Sequence, residues 1–122
     1  MENFDESRFD LLLFEGLDLG KEFSPKDKVF LERFQSAVIL NLCDCKLYSL
    51  VNFPCIPKLE RLELSENYLT GEDIDVIPRN FPKLKSLNLS SNAIRSMDSL
   101  HALDQLSSLV TLELTSNPVT EV

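Results

Sequence analysis

The sequence has no tryptophan, one histidine and only three glycines among its 122 residues, and its apolar runs are short. The run at residues 11–14 is far below the roughly 20 apolar residues that a membrane-spanning helix requires, so the sequence excludes a membrane span. So few glycines also leave no glycine-rich loop of the kind that cradles phosphate groups. The cysteines number three, an odd count, and no secretory signal is recognisable. Together these features predict a reducing compartment, the cytosol or the nucleus.

Basic residues are also scarce: 12 lysines and arginines stand against 20 aspartates and glutamates, which gives a net charge of −8. Such a chain repels phosphate backbones and anionic membrane surfaces, so we expect no direct nucleic-acid binding and no membrane association. The acidity is spread along the whole chain, which is typical of a well-solvated surface. Where it serves recognition, it favours a basic protein partner.

What the sequence does contain is an internal repeat of leucines. The pattern L-x-x-L-x-L-x-x-N-x-L/I/V is met by LERLELSENYL from Leu59, LKSLNLSSNAI from Leu84 and LVTLELTSNPV from Leu109, at intervals of 25 residues. A less strict copy, AVILNLCDCKL, starts at Ala37, 22 residues before Leu59, and has Cys45 in place of the asparagine. A period of roughly 20–29 residues with this pattern is the signature of leucine-rich repeats.

The repeat predicts an α/β fold, a right-handed leucine-rich-repeat solenoid. One repeat cannot bury its apolar side alone, so the copies stack into a curved parallel sheet on the concave side, with short helices or 3₁₀ turns on the convex side. We expect a single domain, residues 1–122. Residues 1–36 form an N-terminal strand and helix cap, and the repeats occupy residues 37–58, 59–83, 84–108 and 109–122, the last without its cap. The leucines predicted to point inward are Leu40, Leu42, Leu62, Leu64, Leu87, Leu89, Leu112 and Leu114.

Short elements are predicted outside these strands. Ser24 and Pro25 have the residue types of an N-cap and a first helical position, and we expect the helix to extend to about Phe34. Residues 11–14 are a candidate first strand. Thr70 and Asp73 resemble a capping box ahead of a second helix. The apolar positions are Ile74, Ile77 and Phe81 in that helix, and Leu100, Leu103 and Leu106 in a 3₁₀-like segment of the next repeat.

The asparagine of each copy falls where the chain turns out of the strand. A buried amide is costly unless its hydrogen bonds are formed, so we predict a ladder in which these side chains bond backbone groups of the bend and of the adjacent repeat. The ladder residues are Asn67, Asn92 and Asn117, with Cys45 in the same place as a small, weak donor. Cys43 lies two residues from Cys45, but no paired Cys or His cluster completes a site, and we predict no bound metal.

The polar residues between the inward leucines face the concave side and form the surface offered to a ligand. Side chains on adjacent strands lie about 5 Å apart, so these residues form a nearly flat array of hydroxyls and amides. The array has no deep apolar pocket and suits a protein surface. We expect Glu63 and Glu113 to be solvent-facing. The predicted partner-binding residues are Asn41, Arg61, Glu63, Ser65, Ser86, Asn88, Ser90, Thr111, Glu113 and Thr115.

No residue set typical of catalysis is found in the sequence. His101, the one histidine, falls in a predicted convex segment, where no nucleophile and base pair can be built around it. We therefore predict a protein without catalytic residues, metal or cofactor, which acts by binding another protein.

Residues 47–120 resemble the acidic leucine-rich nuclear phosphoprotein family, a group of short leucine-rich-repeat proteins. The resemblance rests on SLVNFPCIPKLERLELSENYLTG, FPKLKSLNLSSNAI and SMDSLHALDQLSSL, together with the repeat lengths. It implies a protein of the nucleus and cytoplasm that binds histones and inhibits a serine/threonine phosphatase. The family carries an Asp/Glu-rich tail and a cap after the last repeat, whereas this sequence ends at Val122. Functions of that tail are not carried over to these residues.

Two further expectations stand beside this one. The alternative function is a scaffold subunit of a ribonucleoprotein, similar to the repeat subunit of the U2 spliceosomal particle. In addition, an end repeat normally needs a polar cover, and here Leu112, Leu114 and Val119 form an open apolar end. We expect this end to be covered by self-association unless further residues cap it.

Overall fold

Five short parallel strands form one open sheet in the computed structural model, which describes residues 9–120. They are β1 (Leu11–Leu13), β2 (Ile39–Asn41), β3 (Arg61–Glu63), β4 (Ser86–Asn88) and β5 (Thr111–Glu113). Each strand pairs with the next in the same register, so the middle residues form a row of leucines: Leu12, Leu40, Leu62, Leu87 and Leu112. The predicted solenoid, its parallel sheet and its additional first strand are therefore confirmed.

Short segments return the chain from the end of one strand to the start of the next. Helix α1 (Pro25–Leu31) follows β1 and helix α2 (Val76–Asn80) follows β3, whereas residues 42–60 connect β2 to β3 without a helix. A 3₁₀ helix (Met97–Gln105) precedes β5, as the leucine spacing predicted, and a 3₁₀ turn (Pro118–Thr120) follows it. Within the described range, no helix has the length and apolar character needed to cross a membrane.

Helix α1 begins as the sequence predicts and ends earlier. The Ser24 hydroxyl accepts a hydrogen bond from the Asp27 N–H at 3.1 Å, and Pro25 occupies the first turn. The helix ends at Leu31 rather than near Phe34, because the backbone there forms tighter turns: the Phe34 N–H bonds to the Leu31 carbonyl and the Ala37 N–H to the Phe34 carbonyl. These turns lead the chain into β2.

The capping box predicted for the second helix is wrong. Helix α2 begins after Asp75, whose side chain makes no capping hydrogen bond, and Thr70 lies well before it. The Asp73 carboxylate instead accepts hydrogen bonds from the Ser49 hydroxyl at 2.9 Å and the Leu50 N–H at 3.4 Å. It therefore joins two repeats, which local sequence cannot reveal. The predicted apolar positions are buried: Ile74, Ile77 and Phe81.

Two columns of buried side chains hold the repeats together. The inward leucines of β2, β3 and β4, and those two positions later, are at most 1% exposed. On the return segments, Phe53 packs edge-on between Phe23 and Phe81, with ring centroids 5.1 and 6.0 Å apart. Every repeat thus contributes to a core that none could form alone.

The inward leucines of β5 are less well covered than those of β2, β3 and β4, in line with the open apolar end expected from the sequence. Leu112 is 40% exposed and Leu114 is half-buried, because in this structure β5 has a neighbouring strand on one side only. Leu112 still pairs with Leu87 of β4 in the middle row, but at this edge it is only partly covered.

Gly71 is required by a close approach between two return segments. Its φ is +98°, and a Cβ added there lies 2.6 Å from the Ser99 Oγ and 2.9 Å from the Ser99 Cβ. We expect Gly71→Ala to lower the free energy of unfolding by about 2–3 kcal/mol, because it combines left-handed backbone strain with a steric clash. Urea unfolding followed by circular dichroism measures this loss.

Gly20→Ala is the matched control. Gly20 also has a positive φ, +73°, but a Cβ there meets nothing within 4 Å. Gly20→Ala should therefore lower the free energy of unfolding by only about 1 kcal/mol, the cost of the backbone strain. Equal losses in the two variants would show that the contact with Ser99 contributes nothing.

Candidate partner-binding surface

The strand residues between the buried leucines form two rows across the sheet. A third row, two positions after the second, continues the parallel pairing: the Leu42 N–H bonds to the Glu63 carbonyl and the Leu64 N–H to the Asn88 carbonyl. We call these three rows the concave face. They are Leu11, Ile39, Arg61, Ser86 and Thr111; Leu13, Asn41, Glu63, Asn88 and Glu113; and Glu15, Cys43, Ser65, Ser90 and Thr115.

All ten residues predicted to bind a partner lie on this face, and none of them is buried. Four are exposed and the other six are half-buried, so a protein surface can reach them. The exposed residues are Arg61, Thr111, Glu113 and Thr115, and the half-buried ones are Asn41, Glu63, Ser65, Ser86, Asn88 and Ser90.

Glu63 is engaged within the sheet, against the expectation that it faces solvent. The Arg61 Nε donates to its carboxylate at 2.8 Å and the Asn88 Nδ2 donates to it at 3.1 Å, and its side chain is only 15% exposed. The hydrogen bond and the charge of Glu63, with a smaller effect from Glu113, raise the pKa of Arg61 despite slight desolvation. The guanidinium therefore stays charged, and the exposed acids of this face are Glu113 and Glu15, of which Glu15 accepts a hydrogen bond from Asn41.

A hydrogen bond between an asparagine and a glutamate of the preceding repeat also joins the β1 and β2 segments. The Asn41 Oδ1 accepts from the Cys43 N–H at 2.9 Å, and its Nδ2 donates to the Glu15 carboxylate at 3.4 Å. The Asn88 Oδ1 likewise accepts from the Ser90 N–H at 3.0 Å. Each asparagine thus bonds to the backbone at the exit of its own strand and to a carboxylate of the preceding repeat, which links adjacent repeats across the face.

The sequence prediction missed the three residues that β1 and its exit contribute to the concave face, because β1 was not aligned with the repeats. Leu11 and Leu13 are 50% and 63% exposed on this face, and Glu15 follows them. The sequence feature that could have revealed them is a fifth, degenerate copy of the leucine pattern. It starts at Phe9 and has Leu12 and Phe14 at the inward positions. The face therefore has an apolar end at β1 and a polar end at β5.

Each strand exit is followed by a turn residue at the rim of this face, and two of these five residues are acidic. These residues all have positive φ, between 56° and 84°, and they are Gly16, Asp44, Glu66, Ser91 and Ser116. The N–H groups of Asp44 and Glu66 bond to the carbonyls of the next repeat, at 3.0 and 3.1 Å, and both side chains are exposed. Together, the concave face and these turns carry five carboxylates and one guanidinium: Glu15, Asp44, Glu63, Glu66 and Glu113 against Arg61.

Asn67 binds both its own bend and the preceding repeat. It is 4% exposed, and its Oδ1 accepts from the N–H groups of Cys45 and Leu47, each at 3.0 Å. Its Nδ2 donates to the carbonyls of Leu42 and Leu64, also at 3.0 Å. Every polar atom of this buried side chain is thus paired.

Asn92 and Asn117 make the same kinds of bond one and two repeats further along. Their Oδ1 atoms accept from the N–H groups of Leu69 and Ile94, each at 3.0 Å. Their Nδ2 groups both donate to the Leu89 carbonyl, at 3.0 and 2.8 Å. Asn117 is fully buried, whereas Asn92 is half-buried.

The two cysteines that follow β2 serve as small buried side chains. The Cys45 Sγ lies 3.2 Å from the Phe14 carbonyl, and the Ser65 hydroxyl donates to the Cys43 Sγ at 3.0 Å. Burial raises the pKa of both thiols, although hydrogen bonds to them act in the opposite direction. Neutral thiols are weak nucleophiles and poor metal ligands.

Among residues 9–120, no three His, Cys, Asp or Glu side chains are placed together to hold a metal ion. His101 lies on the 3₁₀ helix, 87% exposed, with its Nδ1 3.6 Å from the Asp104 carboxylate. It is distant in sequence and on a different element from the strand residues of the concave face.

The repeat, the open parallel sheet and the polar strand face define a protein-interaction module. A family model described as "Leucine rich repeat" matches residues 57–119, and the chain belongs to the leucine-rich-repeat family. In this family each repeat adds one strand to a shared surface.

Among individual proteins, a histone of Tetrahymena thermophila is 36% identical over 99 residues, which covers 81% of this chain and 25% of that protein. Acidic leucine-rich nuclear phosphoprotein 32-related protein 1 of Caenorhabditis elegans is 38% identical over 81 residues, covering 66% of this chain and 35% of that protein. The chain therefore spans between a quarter and about a third of the length of these relatives.

A solved structure is similar as well. The crystal structure of the Drosophila melanogaster SNF/U2A′ complex matches with a TM-score of 0.59 and 27% sequence identity. The match covers 70% of this chain and 49% of that chain. In that crystal structure a protein of this kind is found together with another protein.

Proposed function

We propose that the chain is a non-enzymatic nuclear module whose concave face binds a basic segment of a protein partner, with histones as the first candidate. The observation that carries this proposal is the charge of the surface, on which five carboxylates stand against one guanidinium. A complementary charge speeds encounter and selects partners. The names of the two relatives, one a nuclear phosphoprotein and the other a histone, support a chromatin setting.

Glu113 should be the most sensitive position of this surface. Its carboxylate is exposed on β5, whereas Glu63 is already paired with Arg61 and Asn88. We expect Glu113→Lys to weaken binding to purified core histones about fivefold or more at near-physiological salt, because it places like charges opposite each other. Fluorescence anisotropy with labelled histones measures the change.

Asp104→Lys is the matched control, because it makes the same change in net charge on the 3₁₀ helix. Its side chain is 79% exposed, and the control should bind histones as the unchanged chain does. A similar loss in both variants would indicate attraction by net charge alone. Failure of the unchanged chain to retain histones at this salt would contradict the proposal.

A serine/threonine phosphatase is the other partner that the family resemblance suggests, and it enters the same assay as a competitor. If it binds the concave face, it should displace histones from the unchanged chain, and its affinity should fall in Glu113→Lys. A phosphatase whose activity and histone competition are both unaffected by the chain would eliminate this candidate.

The alternative is a scaffold subunit of a ribonucleoprotein. It is favoured by the similarity to the chain in the SNF/U2A′ complex and by the exposed leucines, Leu11 and Leu13, at one end of the concave face. Such a partner would use the apolar end of the face more than its carboxylates. Tight binding of purified SNF, lost in Leu13→Asp and kept in Glu113→Lys, would favour this function over histone binding.

A further inference from the structure

The two tyrosines of the sequence lie against each other on the surface, and neither belongs to the three rows of the concave face. Their ring centroids are 4.7 Å apart and their planes differ by 25°, so the rings are stacked. Tyr48 follows the ladder residue Cys45 by three positions, and Tyr68 directly follows the ladder residue Asn67. The stack therefore depends on the register of two adjacent repeats.

This stack is held in place but is not covered. The N–H groups of Tyr48 and Tyr68 bond to the carbonyls of Lys21 and Leu47, both at 2.8 Å, which fixes the backbone under the rings. The side chains nevertheless remain 53% and 47% exposed, and neither hydroxyl has a hydrogen-bond partner among residues 9–120. A rigid, exposed aromatic pair is the kind of surface that binds a partner at little entropic cost.

Carboxylates border one side of the stack. Tyr48 lines a shallow notch together with Thr70, Glu72 and Asp73. Asp73 is partly used, because one of its oxygens accepts from Ser49 and the Leu50 backbone. Glu72 is exposed, and within the described range its carboxylate accepts no hydrogen bond and forms no ion pair.

We propose that the Tyr48–Tyr68 stack and the neighbouring Glu72 form a second contact surface, which binds an arginine side chain of a protein partner. A guanidinium is flat, so it stacks on an aromatic face while its N–H groups bond to a carboxylate. The inference does not rest on histone binding by the concave face, since any arginine-bearing protein segment meets these requirements.

A nucleobase also stacks on tyrosine, but the surroundings oppose it. Glu72 and Asp73 lie beside the ring, and the chain has a net charge of −8, so a phosphate backbone is repelled. Lys46, which lies close in sequence, pairs with Asp18 at 3.5 Å. The charge of the border therefore selects a cation.

The absence of tryptophan makes this surface directly observable. Tyr48 and Tyr68 are the only tyrosines of the chain, so its tyrosine emission reports on the stack alone. The probe is a capped eight-residue peptide of alternating glycine and arginine. Its control has citrulline, which is neutral and nearly the same shape, in place of each arginine. We expect the arginine peptide to change the tyrosine emission in a saturable way and the citrulline peptide to leave it unchanged.

Variants then identify the contact, with affinity measured by anisotropy of the labelled arginine peptide in a Glu113→Lys background, because the acidic concave face of the unchanged chain would also bind this peptide. Tyr68→Leu removes the ring face and should weaken binding at least fivefold, whereas Tyr68→Phe should stay within about twofold. Glu72→Gln should weaken binding about threefold. If Tyr68→Leu does not fold, as judged by circular dichroism, Glu72→Gln still decides the question, because it keeps both rings and removes the charge of the carboxylate.

Glu113→Lys separates this surface from the concave face. It should leave the tyrosine response to the arginine peptide unchanged, whatever it does to histone binding. An unchanged emission on peptide addition, or full affinity in Tyr68→Leu and Glu72→Gln, would overturn the proposal. So would tighter binding of a single-stranded oligonucleotide that is lost in Tyr68→Leu, because the stack would then be a platform for bases.

Discussion

Asn67→Ala is expected to lower the free energy of unfolding by about 3–5 kcal/mol, one of the largest losses that a single substitution in this chain can cause. The N–H groups of Cys45 and Leu47 and the carbonyl of Leu42 bond to Asn67 at 3.0 Å. None of the three has another partner among residues 9–120, and all three residues are buried. Each group left unpaired costs about 1–3 kcal/mol. Urea unfolding of both proteins at a single pH measures the total loss in the free energy of unfolding.

Asn92→Ala is the matched control within the same ladder. The carbonyls of Leu64 and Leu89 also accept from Asn67 and Asn117 respectively, so they keep a partner when Asn92 is removed. Asn92 is also half-buried, which lets water take its place. We expect Asn92→Ala to lower the free energy of unfolding by about 1–2 kcal/mol, mainly because the Leu69 N–H loses its partner. Equal losses for Asn67 and Asn92 would contradict this account of the ladder.

Leu62→Ala should lower the free energy of unfolding by about 2–5 kcal/mol, because it opens a cavity that neighbouring repeats fill only in part. Leu62 is fully buried in the middle row of the sheet, between Leu40 and Leu87. The loss is measured by denaturant unfolding, with an unchanged slope as evidence that the fold is retained.

Leu112→Ala is the same chemical change in the same row, at the edge of the sheet. Because Leu112 is 40% exposed, its removal should cost only about 1 kcal/mol. A loss as large as that of Leu62→Ala would contradict the edge position seen here. A stability that also rises with protein concentration would then show that a second copy covers β5.

Much of the fold could be predicted because the repeat carries the same information several times. The spacing of leucines that alternate with polar residues predicts the strands of the four repeats, their parallel order and the row from Leu40 to Leu112. The same period predicts which side chains lie on the concave face. Only β1 was incompletely predicted, since its copy of the pattern has Phe9 and Phe14 at leucine positions.

The candidate site could be predicted less well, because the state of a side chain depends on its neighbours from other repeats. Glu63 and Glu113 occupy equivalent strand positions, yet Arg61 and Asn88 pair with Glu63 and leave Glu113 exposed. Asp73 has the residue type of a helix cap, but it binds Ser49 of the preceding repeat instead.

The sequence by itself determined the solenoid, the leucine core and the identity of the concave face, because a periodic pattern of buried and exposed residues is local information. Only the tertiary structure decided which of those residues are free to bind. It brought Tyr48 beside Tyr68 and placed the Asn88 amide beside the Glu63 carboxylate. These features arise from contacts between residues in different repeats, and the distance between such side chains is set by packing rather than by spacing along the chain.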